Sequence, residues 1–248
     1  LLNITLSGIT KSKIYFSKNM KLAIIIPAYN EEKTIKSVLQ SLPKKITGVD
    51  KIVSIVVNDG SGDNTSLIAK EHCDYLVNHA VNLGVGAATI TGLAVVKKIG
   101  ADIVVTIDAD DQHNPDDILK LVRPIIDKDK DVVIGTRMLN SKGMPPLKVF
   151  GNWTMNMITY LVFHKWSTDS QSGLKAFNKR AIKKMSLHSM GYEICSEIIG
   201  EVQRNKLKYL EVPIEVKYSD YSKVKGQNWL NGINILTKIL AIKLVNKK

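Results

Sequence analysis

Short Val- and Ile-rich runs alternate with helical patterns through the first half of this 248-residue chain. The apolar runs cover 22–26, 52–57, 75–77, 103–107 and 132–134, and the helical patterns cover 31–41, 63–71, 84–98 and 115–126. Runs of this near-continuous apolar kind belong to strands buried on both faces, as in parallel sheets covered by helices. The order therefore predicts a three-layer α/β/α sandwich with a mostly parallel central sheet, its chemistry at the C-terminal strand ends. A chain of this length makes one large domain, or one domain with an appendage.

Three chemically loaded segments fall at those ends: Pro27-Ala28-Tyr29-Asn30-Glu31-Glu32, Asn58-Asp59-Gly60-Ser61-Gly62-Asp63 and Asp108-Ala109-Asp110-Asp111-Gln112. The last carries three carboxylates in four residues. At about 4 Å and an effective dielectric near 20, each like-charge pair costs roughly 4 kcal/mol, a cost that a bound cation offsets. Oxygen ligands of this type suit a hard ion, Mg²⁺ or Mn²⁺, bridging a substrate pyrophosphate. A solvated acidic turn is the other reading, since Asn114-Pro115-Asp116-Asp117 makes a good N-cap and first helical turn.

The second half is less regular. Pro145-Pro146 breaks the chain, a helix is expected over 147–163, another over 192–205, and a strand over 209–218. The stretch 229–248 reads as an amphipathic helix, with Trp229, Ile233, Leu236, Leu240 and Leu244 on one stripe, suited to a membrane surface or to packing. Residues 1–19 show no sustained period and are expected to form an arm or to lie upstream of a natural start at Met20. Lys+Arg exceed Asp+Glu by 35 − 23 = 12, which favours an anionic partner. The basic residues are dispersed and no aromatic–basic RNA-binding module occurs, which argues against nucleic acid. Cys73 and Cys195 alone supply neither a disulfide framework nor a metal cluster. No uncharged stretch is apolar enough to read as a transmembrane span.

The segments above, with Asn82-Leu83-Gly84-Val85-Gly86-Ala87-Ala88, Gly135-Thr136-Arg137, Asp169-Ser170-Gln171-Ser172-Gly173-Leu174-Lys175-Ala176-Phe177 and Glu211-Val212-Pro213-Ile214, resemble family 2 glycosyltransferases of the GT-A fold. Within that family the chain is similar to dolichol-phosphate mannose synthases and related polyprenyl-phosphate glycosyltransferases, over roughly residues 20–228. The resemblance implies an inverting, metal-dependent transfer of a hexose or hexosamine from a UDP- or GDP-sugar to polyprenyl (dolichyl) phosphate. It also implies an enzyme peripheral on the cytoplasmic face of a membrane. A separate membrane subunit or a homodimer stays open. So do a soluble or saccharide acceptor served by a carboxylate base, and a non-catalytic membrane-docked protein.

Residue by residue, the resemblance sets Pro27, Ala28, Tyr29 and Glu31 around the donor, with Asp59 as an acidic position at the base. Asn58 stands where the family usually has a second Asp, and Gly86 belongs to a helix entry facing the donor. Asp108, Asp110 and Gln112 match the metal and diphosphate ligands, Asp110 being the expected direct contact. Arg137 and Lys148 match basic positions that hold the acceptor phosphate, where an Arg fork suits phosphate geometry. Lys223 and Lys225 fall in a basic loop that closes over the donor phosphates in relatives. Glu197 lies where base-using relatives carry an acid, although helix patterning explains it as well. The Gln-x-x-Arg-Trp signature of processive synthases is absent.

Overall fold

The computed structural model describes residues 19–140 and 144–217. The expected N-terminal arm (but for Asn19), the loop with Lys223 and Lys225, and the 229–248 helix lie outside the described residues. Seven strands form one sheet: β1 (Lys21–Ala28), β2 (Lys51–Asn58), β3 (Tyr75–Asn78), β4 (Ile103–Thr106), β5 (Val132–Thr136), β6 (Lys175–Asn178) and β7 (Tyr209–Pro213). Their order is β3-β2-β1-β4-β6-β5-β7, parallel except for β6, which runs antiparallel to both of its neighbours. The α/β sandwich with a mostly parallel sheet is therefore as expected.

The period of two along a strand explains the two cores. Leu22, Ile24 and Ile26 of β1 bury one face against α1 (Ile35–Ser41), α2 (Thr65–His72) and α4 (Asp117–Ile126). Ala23 and Ile25 face the other way, onto α3 (Val85–Ile99), α6 (Lys179–Lys184) and α7 (Ile194–Arg204). All five are fully buried, each larger side chain stabilising the fold by about 1.5–3 kcal/mol. The remaining helix, α5 (Pro146–Phe163), keeps an apolar outer face: Leu147, Phe150, Trp153 and Leu161 are each at least half exposed. Among the described residues no helix is long and apolar enough to cross a membrane.

Three expectations shift. Helix α1 starts at Ile35 rather than at residue 31, because Glu31–Thr34 first closes a turn, with Thr34 N–H donating to the Glu31 carbonyl at 3.1 Å. Strand β6 was not foreseen: only four residues long and opening on a lysine, Lys-Ala-Phe-Asn has no strand-like period. Strand β7 ends at Pro213, short of the expected 218. The chain then leaves the sheet and lies along the turn that follows β4, through a His113–Val216 bridge and a bond from Lys217 N–H to the Gln112 carbonyl at 2.9 Å.

Candidate active site

Parallel pairing of β1 with β2 brings Ala28 opposite Asn58, so the two following loops leave the sheet side by side. They brace each other. Asn30, at a left-handed φ of 54° that Asn tolerates, donates its N–H to Ser61 Oγ and accepts from Gly62 N–H on its side-chain oxygen, both at 2.9 Å. Tyr29 stands half exposed above Pro27 and the buried Ala28, while Glu31 is nearly buried and accepts from the Thr34 hydroxyl at 2.9 Å.

Asn58, Asp59 and Gly86 are engaged by the protein itself. The Asn58 amide donates to Asn78 Oδ1 at 2.9 Å and accepts from Ser61 N–H at 3.3 Å. Buried Asp59 accepts from His79 Nδ1 at 2.7 Å, Leu83 N–H at 2.9 Å and Gly84 N–H at 2.8 Å, which fixes the loop entering α3. A Cβ at Gly86 would collide with the Ser189 carbonyl. Its absence lets the 189–191 loop close on the start of α3, where the Met190 carbonyl accepts from Ala87 N–H at 3.0 Å.

The acidic turn follows β4. Gln112 turns back on Asp110, its backbone N–H donating to Oδ1 at 3.1 Å and its side-chain amide to Oδ2. Asp111 swings away at φ 59° and accepts from the Ser37 hydroxyl at 3.2 Å. His113, buried beneath the turn, reaches Asp108 Oδ2 with Nε2 at 3.3 Å. Gly173 packs so closely on the Asp108 carboxylate that any side chain there would collide with it. The two carboxylates are driven apart in acidity. Burial, then the charge of Asp108, pushes Asp110 up to about 6, with Glu31 adding repulsion. Burial also works to raise Asp108, but the hydrogen bond and charge of His113, with Lys175 and Arg137, outweigh it and hold Asp108 below its ordinary value.

Among the described residues no group of three or more His, Cys, Asp or Glu side chains is arranged to hold a metal by itself. Mg²⁺ is commonly held by one or two carboxylates and completes its octahedron with water and substrate phosphates. Two crowded oxygen donors, one strained toward protonation for want of positive charge, fit such an ion.

On the far side of Asp108, Arg137 follows β5 and is locked by Asp169. Nε donates to Oδ2 and Nη2 to Oδ1, both at 2.7 Å, and the Arg137 N–H adds a third bond at 2.9 Å. Met138, the residue after Arg137, joins Met144, Pro146, Val149, Phe150 and Trp153 in lining an open, apolar surface hollow of about 470 Å³. Lys148 lies partly buried in the first turn of α5, on the same stretch of helix. Glu197 stands apart from this chemistry: it is 1% exposed and accepts from the N–H groups of His188 and Ser189 at 2.9–3.1 Å.

The structure thus gathers Asp108, Asp110, Gln112 and Glu31 on one side and Arg137 with Lys148 near the cavity on the other, while Lys225 lies outside the described residues. Sequence reasoning assigned no role to His113, Lys175, Tyr192 or Asp169. The partial burial of Tyr192, then the charges of Asp108, Cys195, Asp110 and Glu31, raise its phenol above the usual value. A histidine two residues beyond an acid cluster was a usable signal. The pairing of Asp169 with a residue 32 positions away was not.

The sequence profile of Glycosyl transferase family 2 matches residues 23–185. The chain belongs to that family. It is 43% identical over 243 residues to the UDP-N-acetylglucosamine–dolichyl-phosphate N-acetylglucosaminyltransferase of Methanococcus voltae, covering 89% of this chain and 95% of the relative. It is 30% identical to a dolichyl-phosphate beta-glucosyltransferase of Trichomonas vaginalis, covering 91% and 75% respectively. Among solved structures, the glucosyl-3-phosphoglycerate synthase of Mycobacterium tuberculosis, in complex with Mn²⁺, UDP-glucose and phosphoglyceric acid, superposes with a TM-score of 0.63 at 18% identity. That match spans 92% of this chain and 79% of the other, a likeness of fold alone. The protein is a glycosyltransferase of GT-A architecture, as its motifs led one to expect.

Proposed function

We propose that this glycosyltransferase moves one N-acetylglucosamine, or a closely related sugar, from its UDP-linked donor to the phosphate of a polyprenyl monophosphate of the dolichyl type. The observation that carries the acceptor assignment is the apolar cavity beside Arg137. A monophosphate on a hydrocarbon chain needs a planar cation for its head and a greasy trough for its tail. The donor assignment draws on the 43% identical Methanococcus relative.

A lipid phosphate oxygen is already anionic, so it needs alignment rather than deprotonation. A sugar hydroxyl would need a general base, and Glu197 is buried with its carboxylate committed to backbone amides. In this reading Arg137 and Lys148 align the acceptor, whose oxygen attacks the anomeric carbon opposite the departing nucleotide and inverts it. Asp108 and Asp110 hold Mg²⁺ or Mn²⁺, which when bound neutralises the leaving diphosphate. Gln112 and His113 fix the two carboxylates. The donor lies over the β1 and β2 ends, where Tyr29 is free to stack. The exposed Leu147, Phe150 and Trp153 of α5 rest on the bilayer, helped by the +12 charge.

The test is transfer of radiolabel from UDP-N-acetylglucosamine, with GDP-mannose and UDP-glucose as alternatives, to dolichyl phosphate, dolichol and a free disaccharide, each with Mn²⁺ and with EDTA. Label in the lipid phosphate product, dependent on Mn²⁺, is expected. Equal labelling of the disaccharide, or labelling in EDTA, would overturn the reading.

A further inference from the structure

We infer that Asp169 is the positioning residue for acceptor binding: it sets the plane of the Arg137 guanidinium, one residue before Met138 of the apolar hollow. The inference rests on the acceptor assignment just proposed. A free arginine samples many rotamers, and fixing it only when a phosphate arrives would consume binding energy. Here the cost is met by folding. Asp169 is wholly buried and takes Nε, Nη2 and the backbone N–H of Arg137 on its two oxygens, with Asn152 Nδ2 at 3.5 Å beside them.

The carboxylate is itself immobilised from both flanks. Upstream, Glu211 receives Ser167 Oγ at 2.6 Å, Thr168 N–H at 2.8 Å and Thr168 Oγ1 at 2.8 Å. Thr168 Oγ1 also reaches Thr136 Oγ1, the residue before Arg137, at 2.8 Å. Downstream, Ser170 N–H donates to Asn156 Oδ1 at 2.8 Å, and the Asn156 amide donates to the Thr168 carbonyl at 2.6 Å. Asn156 lies on α5, the helix that supplies most of the cavity wall. One short segment thus ties the guanidinium to the wall against which the lipid chain would lie. An ion pair serving only stability has no need of this register between cation and cavity.

The experiment is steady-state kinetics with farnesyl phosphate as a soluble acceptor, on wild type, Arg137→Ala, Asp169→Asn and the double variant. Asp169→Asn is expected to raise the acceptor KM about 10- to 100-fold while the donor KM stays unchanged. The double variant should be no worse than Arg137→Ala, because the two act as a unit. Arg137→Lys, which keeps the charge and loses the planar fork, should show a similar acceptor defect and decides the matter if Asp169→Asn fails to fold. The inference falls if Arg137→Ala weakens the acceptor while Asp169→Asn does not. It falls equally if donor and acceptor KM rise together with independent effects, as a general structural role would give, or if Arg137→Lys is indistinguishable from wild type. Were Arg137→Ala itself to leave the acceptor KM unmoved, the acceptor assignment would fail first.

Discussion

Two clusters of charge flank the end of β4, and they are built in opposite ways. At the acidic turn, Asp108 and Asp110 crowd together, and Asp110 is pushed up to about 6 by burial and by its neighbour. At the far side, Arg137 and Asp169 answer each other through two 2.7 Å bonds, the arginine 20% exposed and the aspartate fully buried. The first cluster holds more negative charge than the protein compensates; the second is compensated before any ligand arrives. A site whose partner brings positive charge must leave repulsion in place. A site whose partner is a floppy lipid gains more from a rigid anchor. Under the proposed function, the difference would separate a part of the molecule that receives an ion from a part that positions the acceptor.

The comparison breaks first on activity. Asp110→Ala should lower transfer by about 10²–10³-fold or more with circular dichroism preserved and no loss of melting temperature, and near-normal turnover would remove the acidic turn from the chemistry. The next effect is on stability and has the opposite sign at the two clusters. Arg137→Met leaves Asp169 buried without its partner and should cost about 3–5 kcal/mol in urea unfolding. Asp110→Asn removes the cost of burying that charge, and with it the repulsion from Asp108, and should stabilise the metal-free protein. Destabilisation by both variants would mean that the acidic turn is as well compensated as the Arg137 pair.

The same burial and repulsion set a pH dependence. The folded pKa of Asp110 lies above its ordinary 3.8, so the folded form binds the proton more tightly. Its contribution favours folding below about 4 and is lost as the pH rises through about 6. In EDTA, wild type minus Asp110→Asn should therefore lose stability between pH 4 and 7, and a flat difference would contradict the assigned environment. The smallest effect is expected at Glu197. Glu197→Gln should change the transfer rate by less than about threefold and leave the pH–rate profile in place, whereas removing a general base costs 10²–10⁴-fold.

Much of the first half of the fold was legible in the sequence because its signals are local. Apolar runs gave β1 to β5 and their helices within a few residues, and Asp108 and Asp110 lie within three positions of each other. Strand β6 escaped because four residues carry too little period, and its place between β4 and β5 is decided by pairing rather than by pattern. Asp169 escaped for a related reason: its meaning lies in a bond to Arg137 that only β5 and the 167–173 segment, brought together, create. Asn58, Asp59 and Gly86 carried a functional reading from their motifs, and each is also held inside the protein by partners distant in sequence: Asn78, His79 and the 189–191 loop.

Under the proposed function, an ion and a donor diphosphate would relieve the burial and repulsion of charge at the Asp108–Asp110 turn. Thermal unfolding of wild type and Asp110→Asn with Mn²⁺ alone, UDP alone and both together tests it most directly. Mn²⁺ and UDP together should stabilise wild type strongly, well beyond the sum of the separate shifts, and should not stabilise Asp110→Asn. An equal shift in the two proteins, or none in wild type, would contradict it.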